Sequence, residues 1–413
     1  MDNKKVTIIG AGAVGISSAL SLLELGHEVE LIDRDPPASG ASHGNAGVVS
    51  PWTCVPQSMP GLWKSVPKWL MDPEGPLTVR WSYLPQFVPW AIRFLRAGDP
   101  DRLPAVADAI MALNRPNLDL YRHHLAGTGK EHLIRDSYYV HVYRRQSSIN
   151  LDDLGWRMRR DRGVPLDVVA GSELRSLEPA LSPDYEAAVV IKEQGRSLDP
   201  GGVGKALAEK AMSMGATFKQ TGVTAVRPAP DGGWIVETEA GALERPTVVL
   251  AAGVWSARLL KPLGINVPLE AERGYHMVLK NPGVEVNHSI MDTEKKFVAS
   301  SMAAGIRCAG TAEFAGIDAP PDYRRAEVFK RHAKALFPDI NVDDGEPWMG
   351  RRPSFPDSLP AIGEVPGHKN LFVAFGHSHY GFGMAPATGR IVANLVNGTP
   401  PNVDLTPYRI DRF

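Results

Sequence analysis

The stretch KVTIIGAGAVG, residues 5–15, joins a short apolar run to a cluster of glycines. Residues 5–9 predict a buried strand, and the apolar spacing that follows predicts a helix with Gly26 as its C-terminal stop. Residues 28–33, EVELID, predict a second strand. The segment therefore predicts a strand–helix–strand unit with two parallel strands.

The glycines of this unit have the G-x-G-x-x-G spacing. Gly10 allows a tight turn, Gly12 lets the backbone approach a pyrophosphate, and Gly15 lets the helix pack close to the sheet. Asp33 follows at the tip of the second strand, where a carboxylate accepts hydrogen bonds from a ribose hydroxyl. The sequence predicts a dinucleotide site here, with NAD and FAD both open at this point.

A second glycine-rich stretch near the C-terminus favours a flavin. Residues 376–389, GHSHYGFGMAPATG, place glycines around two histidines and a tyrosine. Pro386 suits the first turn of a helix, and the residues after it have helical spacing. A second helix start, preceded by glycines, would bring bare N–H groups to the pyrimidine edge of an isoalloxazine ring, which becomes anionic on reduction.

Composition limits the class of protein. The chain has 413 residues, 43% of them hydrophobic and 22% charged, and a net charge of −1, which gives no indication of a nucleic-acid partner. Two cysteines exclude a disulfide scaffold and fit a reducing compartment. We expect a cytoplasmic protein without a signal peptide, a membrane-spanning segment or a metal site.

Together with these features, the whole chain resembles the D-amino-acid oxidase superfamily of FAD-dependent enzymes, and within it the bacterial D-amino-acid dehydrogenases. The resemblance rests on five blocks in the family's order: GAGAVG at 10–15, SHGNAGVVSP at 42–51, VVLAAGVWS at 248–256, GRRPSFPDSLPAIG at 350–363 and GHSHYGFGMAPATG at 376–389. Asp33 stands where the family often has glutamate, and no cysteine matches the flavin-linking one of sarcosine oxidases. The resemblance therefore implies non-covalent FAD.

The resemblance implies an α/β fold in which a Rossmann-like FAD-binding domain carries an inserted α+β substrate domain with a mixed antiparallel sheet. We expect residues 1–90, 195–256 and 345–413 to form the FAD-binding domain. Residues 91–194 and 257–344 would then form the substrate-binding domain.

The resemblance also implies the cofactor contacts. It assigns them to the pyrophosphate loop, the adenosine end, the loop along the ribityl chain and ring, and the flavin pyrimidine edge. In that order the residues are Gly10, Ala11, Gly12, Val14 and Gly15; Asp33, Arg34 and Val223; Ser42, Asn45, Ala46 and Gly47; and Gly381, Phe382, Gly383 and Met384. Gly253 is expected to end a strand near the pyrophosphate, and Ala252 beside it is expected to contact the cofactor. His43 is expected either to hydrogen-bond near the ring or to cap the loop.

The substrate site needs a cation for a carboxylate. Arg352 corresponds to the family's carboxylate-binding arginine, and its planar fork matches a carboxylate in two parallel bonds. Of Tyr275 and His276 on one strand, only one is expected to face the site. Among His377, His379 and Tyr380, one is expected to meet the substrate.

The expected reaction is oxidative deamination of a D-amino acid to a 2-oxo acid and ammonia, by hydride transfer from Cα to flavin N5. The alternatives are an oxidase or dehydrogenase of secondary amino acids, of the D-proline, hydroxyproline, sarcosine or glycine type, or a non-catalytic flavin subunit of a complex. Residues 62–98 mix Trp, Phe, Leu, Lys and Arg. That mixture fits peripheral contact with the inner face of the cell membrane and a quinone or other electron acceptor, or else a helical flap packed on the flavin domain.

Overall fold

The computed structural model describes residues 4–413; residues 1–3, with which the predicted FAD-binding domain begins, lie outside the described part. The helices are α1 Ala13–Glu24, α2 Val66–Met71, α3 Leu84–Ala97, α4 Leu103–Asn114, α5 Asn117–Leu125, α6 Leu154–Arg160, α7 Gly171–Leu177, α8 Pro200–Ser213, α9 Ser256–Leu260, α10 Arg324–Leu336 and α11 Gly381–Asn397. The strands are β1 Lys5–Ile9, β2 Glu28–Asp33, β3 Val48–Val49, β4 Leu77–Val79, β5 Ile134–Tyr143, β6 Leu166–Ala170, β7 Ala187–Ser197, β8 Thr217–Gln220, β9 Val223–Pro228, β10 Trp234–Thr238, β11 Gly241–Arg245, β12 Thr247–Leu250, β13 Glu270–Leu279, β14 Ser289–Asp292, β15 Phe297–Met302, β16 Gly305–Ala309, β17 Ala312–Phe314, β18 Gly345–Ser354, β19 Ala361–Glu364 and β20 Leu371–Phe375.

The N-terminal strand lies inside a six-stranded sheet with the order β19-β20-β12-β1-β2-β8. β1 pairs in parallel with β12 on one side and with β2 on the other. The edge strand β19 is antiparallel to β20. The predicted strands 5–9 and 28–33 and the helix between them are confirmed, because a buried apolar run and a glycine turn leave few alternatives.

This sheet is covered on both faces. Val6 and Ile8 pack into the core beneath α1, α8 and α11. Ile9 and Ile32 pack on the other face, in a core that contains residues of the three-stranded sheet β11-β10-β9. Burial on both faces explains why β1 is apolar except for the exposed Lys5 at its start and the buried Thr7.

The second sheet has eleven strands. Nine follow the order β3-β7-β5-β14-β15-β16-β13-β17-β4, while β18 pairs with β13 and β6 pairs with β7. The β13–β18 pair is antiparallel and places Glu272 opposite Arg352. A separate hydrophobic core, which includes residues of α10, covers one face of this sheet.

Two predictions on the course of the chain need comment. The apolar spacing of residues 104–126 predicts one helix, but the segment forms α4 and α5, because Pro116 lacks the N–H that a continuous helix needs. β18 lies in the predicted FAD-binding segment 345–413, yet it pairs with β13 of the second sheet. The division into two domains remains a proposal, and this pairing argues for a boundary after residue 354.

Candidate active site

A cavity of about 1110 Å³ is lined by residues of both sheets. It exceeds the roughly 300–1,000 Å³ of ordinary ligand pockets, as a site for a dinucleotide and a substrate should. Its wall includes the turn after β1, the loop 40–57, the β13–β18 pair and the segment 377–383.

The turn after β1 fits a pyrophosphate. Gly10 has a φ of +114°, and a Cβ there would lie 2.4 Å from the Ala251 carbonyl oxygen. A Cβ on Gly12 would meet no atom within 4 Å, although Gly12 lines the cavity and precedes α1, whose N-terminus has no side-chain cap. Free N–H groups beside an open space are the expected cradle for an anion.

Gly15 is a packing residue. A Cβ there would lie 1.9 Å from the Gly10 carbonyl oxygen, so only glycine lets α1 approach the turn, as predicted. The Asp33 carboxylate accepts a hydrogen bond from the Ala11 N–H at 2.7 Å and borders the cavity. The other predicted contacts at this end that border the cavity are Val14, Arg34, Val223, Ala252 and Gly253.

The loop 41–47 is fixed by an arginine that the sequence did not indicate. Arg307 donates from Nη1 to the carbonyl oxygens of His43, at 3.1 Å, and Asn45, at 2.7 Å. The Asn45 side chain accepts from the Gly47 N–H at 2.8 Å. Ser42, Asn45 and Ala46 line the cavity, whereas Gly47 is held by packing against Met302.

His43 does not face the cavity. Its ring lies against Gly201, where a Cβ would approach Nδ1 to 2.3 Å, and near Trp348, at 5.8 Å between centroids. The expectation that His43 hydrogen-bonds near the ring of the cofactor is therefore not supported. Sequence adjacency was misleading because consecutive residues of the 3₁₀ turn 41–44 point in different directions.

The C-terminal helix begins earlier than predicted. α11 starts at Gly381, so Pro386 lies in its sixth position rather than in the first turn. Pro386 has no N–H for the carbonyl of Phe382, and the Tyr121 hydroxyl donates to that oxygen instead, at 2.5 Å. Gly381, Phe382 and Gly383 border the cavity with the first turn of the helix, while Met384 is fully buried in the core.

Arg352 borders the cavity and is held by Glu272. Its Nη1 donates to Glu272 Oε1 at 2.5 Å, and the Ser354 hydroxyl donates to Oε2 at 2.8 Å. Within residues 4–413, Nε and Nη2 of Arg352 have no hydrogen-bond partner, so one edge of the fork remains for a carboxylate. Burial opposes ionisation of Glu272, but Arg352, His379 and Ser354 hold the pKa of this carboxyl below its usual value.

Gly274 leaves room for this guanidinium. A Cβ there would lie 2.1 Å from Nη2 and 2.3 Å from Cζ of Arg352, so alanine would displace the end of a flexible side chain. We expect Gly274→Ala to raise KM for an amino-acid substrate by about tenfold, the loss of roughly one charge-assisted hydrogen bond. Steady-state kinetics measure this change. The FAD content and the urea midpoint serve as internal controls, and an unaltered KM would contradict the role of Gly274.

Tyr275 borders the cavity, but its hydroxyl is engaged elsewhere. The hydroxyl donates to Glu313 at 2.6 Å and accepts from the Asp322 N–H at 2.9 Å. It belongs to a buried cluster that also contains Arg273, on the face of β13 opposite Glu272. The geometry therefore does not support Tyr275 as a substrate contact.

His276 supports the loop 41–44. Its Nδ1 lies 3.1 Å from the Gly44 carbonyl oxygen, and its ring stacks on Trp348 at 5.0 Å. Burial lowers the pKa of His276 to about 3, so the ring is neutral at physiological pH. His276 is absent from the cavity wall, because Trp348 and the loop separate it from the open space. The geometry therefore supports neither Tyr275 nor His276 as the residue that faces the substrate.

His379 and Tyr380 do line the cavity, next to a residue that the sequence did not indicate. Gln57 Nε2 donates to His379 Nδ1 at 2.8 Å and lies 3.2 Å from Glu272 Oε2. The His379 side chain is exposed, but the walls of the cavity reduce its hydration and lower its pKa to about 4, so the ring is neutral at physiological pH. The Tyr380 hydroxyl donates to the Val55 carbonyl at 2.7 Å.

His377 also borders the cavity, but its Nε2 pairs with the Thr388 hydroxyl at 3.0 Å.

The contacts described above join Arg352, Glu272, Gln57, His379 and Tyr380 into a continuous polar wall. The sequence could have indicated Glu272, because side chains alternate along a strand and this places Glu272 on the same face of β13 as Gly274. Gln57 was not, because it lies in an irregular loop.

Comparison with known proteins identifies the family of the chain. Residues 5–395 match the model of the DAO family, described as FAD dependent oxidoreductase. A D-amino-acid oxidase from Bradyrhizobium diazoefficiens is 39% identical over 419 residues, which cover 100% of this chain and 99% of that protein. A D-amino acid dehydrogenase from Dechloromonas aromatica is 32% identical over 415 residues, or 96% of this chain and 98% of that protein.

Among solved structures, glycine oxidase from Geobacillus kaustophilus has a TM-score of 0.74 at 24% identity, with 100% of both chains covered. At that identity the likeness shows the fold alone, and it confirms the predicted α/β class with a Rossmann-like FAD-binding fold. The family match confirms the predicted cofactor, FAD, whose pyrophosphate the turn after β1 fits. The chain belongs to the DAO family of FAD-dependent oxidoreductases.

Proposed function

We propose that this protein oxidises D-amino acids to 2-oxo acids and ammonia. The observation that carries the proposal is the free Nε–Nη2 edge of Arg352 on the wall of a cavity whose other end fits FAD. The names of the relatives at 32–39% identity support D-amino acids as substrates. Glycine and proline types are not favoured, because structures with those names are less than 25% identical and show the fold alone.

The chain's residues have defined tasks in this reaction. Arg352 binds the substrate carboxylate through its free edge, and Glu272 and Ser354 fix the orientation of the guanidinium. When bound, FAD supplies the acceptor, at flavin N5, for the hydride that leaves Cα. The amine lone pair then forms the imine, which water hydrolyses. His379 and Tyr380 are neutral wall groups, so a substrate that arrives with a neutral amine needs no strong side-chain base.

Stereochemistry tests the proposal directly. The purified protein is mixed without oxygen with D-alanine, L-alanine, D-proline and sarcosine, and the visible flavin bands are followed. We expect the D-amino acid to bleach them and the L-enantiomer to leave them unchanged. Faster reduction by sarcosine or D-proline would favour a secondary-amine enzyme, and bound FAD that no amine reduces would favour a non-catalytic subunit.

We further propose that electrons pass to a membrane acceptor such as a quinone, with residues 62–98 as the contact. Trp81, Met71 and Trp63 are 87%, 77% and 60% exposed. The basic side chains Lys64, Lys68, Arg93 and Arg96 are exposed as well, whereas Arg80 is half-buried and pairs with Glu313 at 2.9 Å. The α3 helix packs inward through Trp90, whose Nε1 donates to the Ser354 carbonyl at 3.1 Å, and leaves its other side apolar and exposed. Exposed Trp beside Lys and Arg suits an anionic lipid surface.

Vesicle flotation tests this contact. The protein is expected to float with vesicles that contain anionic lipid and to remain below with neutral ones. Trp81→Ser with Trp63→Ser should reduce flotation, whereas an exposed apolar residue far from this segment, Val168→Ser, should not. Protein that stays at the bottom with both vesicle types, and reduces oxygen to peroxide at full rate, would contradict the membrane route.

None of the described helices is long and apolar enough to cross a membrane.

A further inference from the structure

Besides Arg352, two other cations, Arg159 and Lys296, line the same cavity. Arg159 lies on α6, and Lys296 lies in the turn between β14 and β15. The two are separated in sequence by 137 positions but border one space, together with Tyr139 and His141 of β5.

Neither cation has an acidic partner within 4 Å among residues 4–413. The guanidinium of Arg159 donates to the Gly155 carbonyl at 3.1 Å and lies 4.7 Å from the centre of the Trp156 ring. Arg162, one turn further along the chain, shows the contrast, because it pairs with Asp108 at 2.8 Å.

The carboxylates near Arg159 and Lys296 are bonded to other groups or lie in other parts of the cavity. The Asp292 carboxylate accepts from the Tyr185 hydroxyl at 2.6 Å and from the N–H groups of Glu294 and Lys295, both at 2.9 Å. Of the described residues, the cavity wall has four carboxylates: Asp33 and Asp35 after β2, Glu239 near Gly222, and Glu272 on Arg352. None of them neutralises Arg159 or Lys296.

The groups between the two cations are neutral. The His141 ring lies 4.5 Å from that of Tyr139 and 5.1 Å from that of Trp156, between centroids. Burial, and then Arg159 and Lys296, keep the pKa of His141 well below its usual value. Arg159 is half-buried without an acidic partner, which is costly unless an anion completes the site, and the exposed Lys296 adds a second positive charge to the same space.

The polar wall links this pair to the first cation. Arg352 contacts Glu272, Gln57 joins Glu272 to His379, and the His379 ring lies 3.9 Å from that of Tyr380. Tyr380 and Arg159 both line the cavity: the Tyr380 hydroxyl donates to the Val55 carbonyl, and a Cβ at Gly155 would lie 3.6 Å from Arg159 Nη1 and 3.9 Å from the Val55 side chain. A molecule anchored at Arg352 and extended along this wall would reach Arg159.

We propose that Arg159 and Lys296 form a second anion subsite that binds a distal carboxylate of the substrate. This inference rests on the proposed oxidation of D-amino acids and narrows it to dicarboxylic substrates. The second carboxylate belongs either to the side chain or to an N-substituent, and both sources present the same group to the two cations.

Isosteric substrate pairs test the subsite. We expect kcat/KM to be at least about tenfold higher for D-glutamate than for D-glutamine, the effect of one to two hydrogen bonds to a charged group. N-(carboxymethyl)-D-alanine against its amide, N-(carbamoylmethyl)-D-alanine, tests the other source. Whichever pair shows the larger acid preference identifies where the carboxylate lies, and no preference in either pair would overturn the proposal.

Variants assign the preference to residues. Arg159→Met and Lys296→Met should each reduce the acid-to-amide ratio by about tenfold, Arg159→Lys should retain part of it, and the matched control Arg162→Met should leave it unchanged. As a binding readout without turnover, glutarate should perturb the flavin spectrum at lower concentration than its monoamide, and Arg159→Met should remove that difference.

The outcomes distinguish a failure of the anion subsite from a failure of the proposed function. If neutral D-amino acids reduce the flavin but the ratio is flat in the wild type, the subsite is wrong and the proposed function stands. If Arg159→Met lowers FAD content, or slows all substrates equally, the arginine serves the cofactor or the fold, and the subsite is again wrong. If no D-amino acid reduces the flavin, the proposed function itself fails.

Discussion

Replacing Arg352 with methionine is expected to lower kcat/KM for D-amino acids by about 10²–10³-fold, because two charge-assisted hydrogen bonds to the substrate carboxylate are lost, roughly 3–4 kcal/mol together. FAD should stay bound, since the pyrophosphate turn and the loop 41–47 do not involve Arg352. KM and kcat are both expected to change, because the carboxylate both binds the substrate and positions Cα.

Arg352→Met also leaves Glu272 buried without its partner, which destabilises the fold in its own right. The double variant Arg352→Met with Glu272→Gln removes that charge, so it separates the loss of binding from the loss of stability. Arg352→Lys keeps the charge but not the planar fork, and we expect it to recover only part of the activity. Kinetics equal to those of the wild type would exclude Arg352 from the site.

The second large effect is expected at Gly12. Gly12→Asp should weaken FAD binding by at least about 100-fold, because a carboxylate would face the pyrophosphate, and like charges about 4 Å apart repel by roughly 4 kcal/mol at an effective dielectric constant near 20. A Cβ at Gly12 meets no atom within 4 Å, so the fold should remain intact. The FAD content and reconstitution of the apoprotein measure this effect.

Gly12→Asn is the matched control, with the same shape and no charge. It should weaken FAD binding less than Gly12→Asp does, while both variants unfold at the urea concentration of the wild type. Full FAD content in both variants would place the pyrophosphate elsewhere.

The N-terminal unit shows what the sequence predicts well. Its strands, helix and glycines are determined mainly by local rules, since Gly10 has a φ of +114° and a Cβ at Gly15 would collide with the Gly10 carbonyl oxygen of the same unit. The start of α11 was wrong by five residues, because a tertiary contact from Tyr121 satisfies the carbonyl that Pro386 leaves free. Such a contact between distant segments has no local signal.

The substrate site was predicted only in part for the same reason. A family motif located Arg352. The direction of the His43 ring depends on Gly201, the hydrogen bond of Tyr275 on Glu313, and the stacking of His276 on Trp348. These partners are far away in sequence. Arg159 and Lys296 were missed because an unpaired charge is visible only after every neighbour has been placed.

The most direct test of the account is the visible spectrum of the purified protein, recorded without oxygen before and after addition of a D-amino acid. The account predicts the absorption bands of oxidised FAD at first and their disappearance with D-alanine or D-glutamate. A colourless protein that FAD does not reconstitute, or flavin bands that no D-amino acid diminishes, would contradict it.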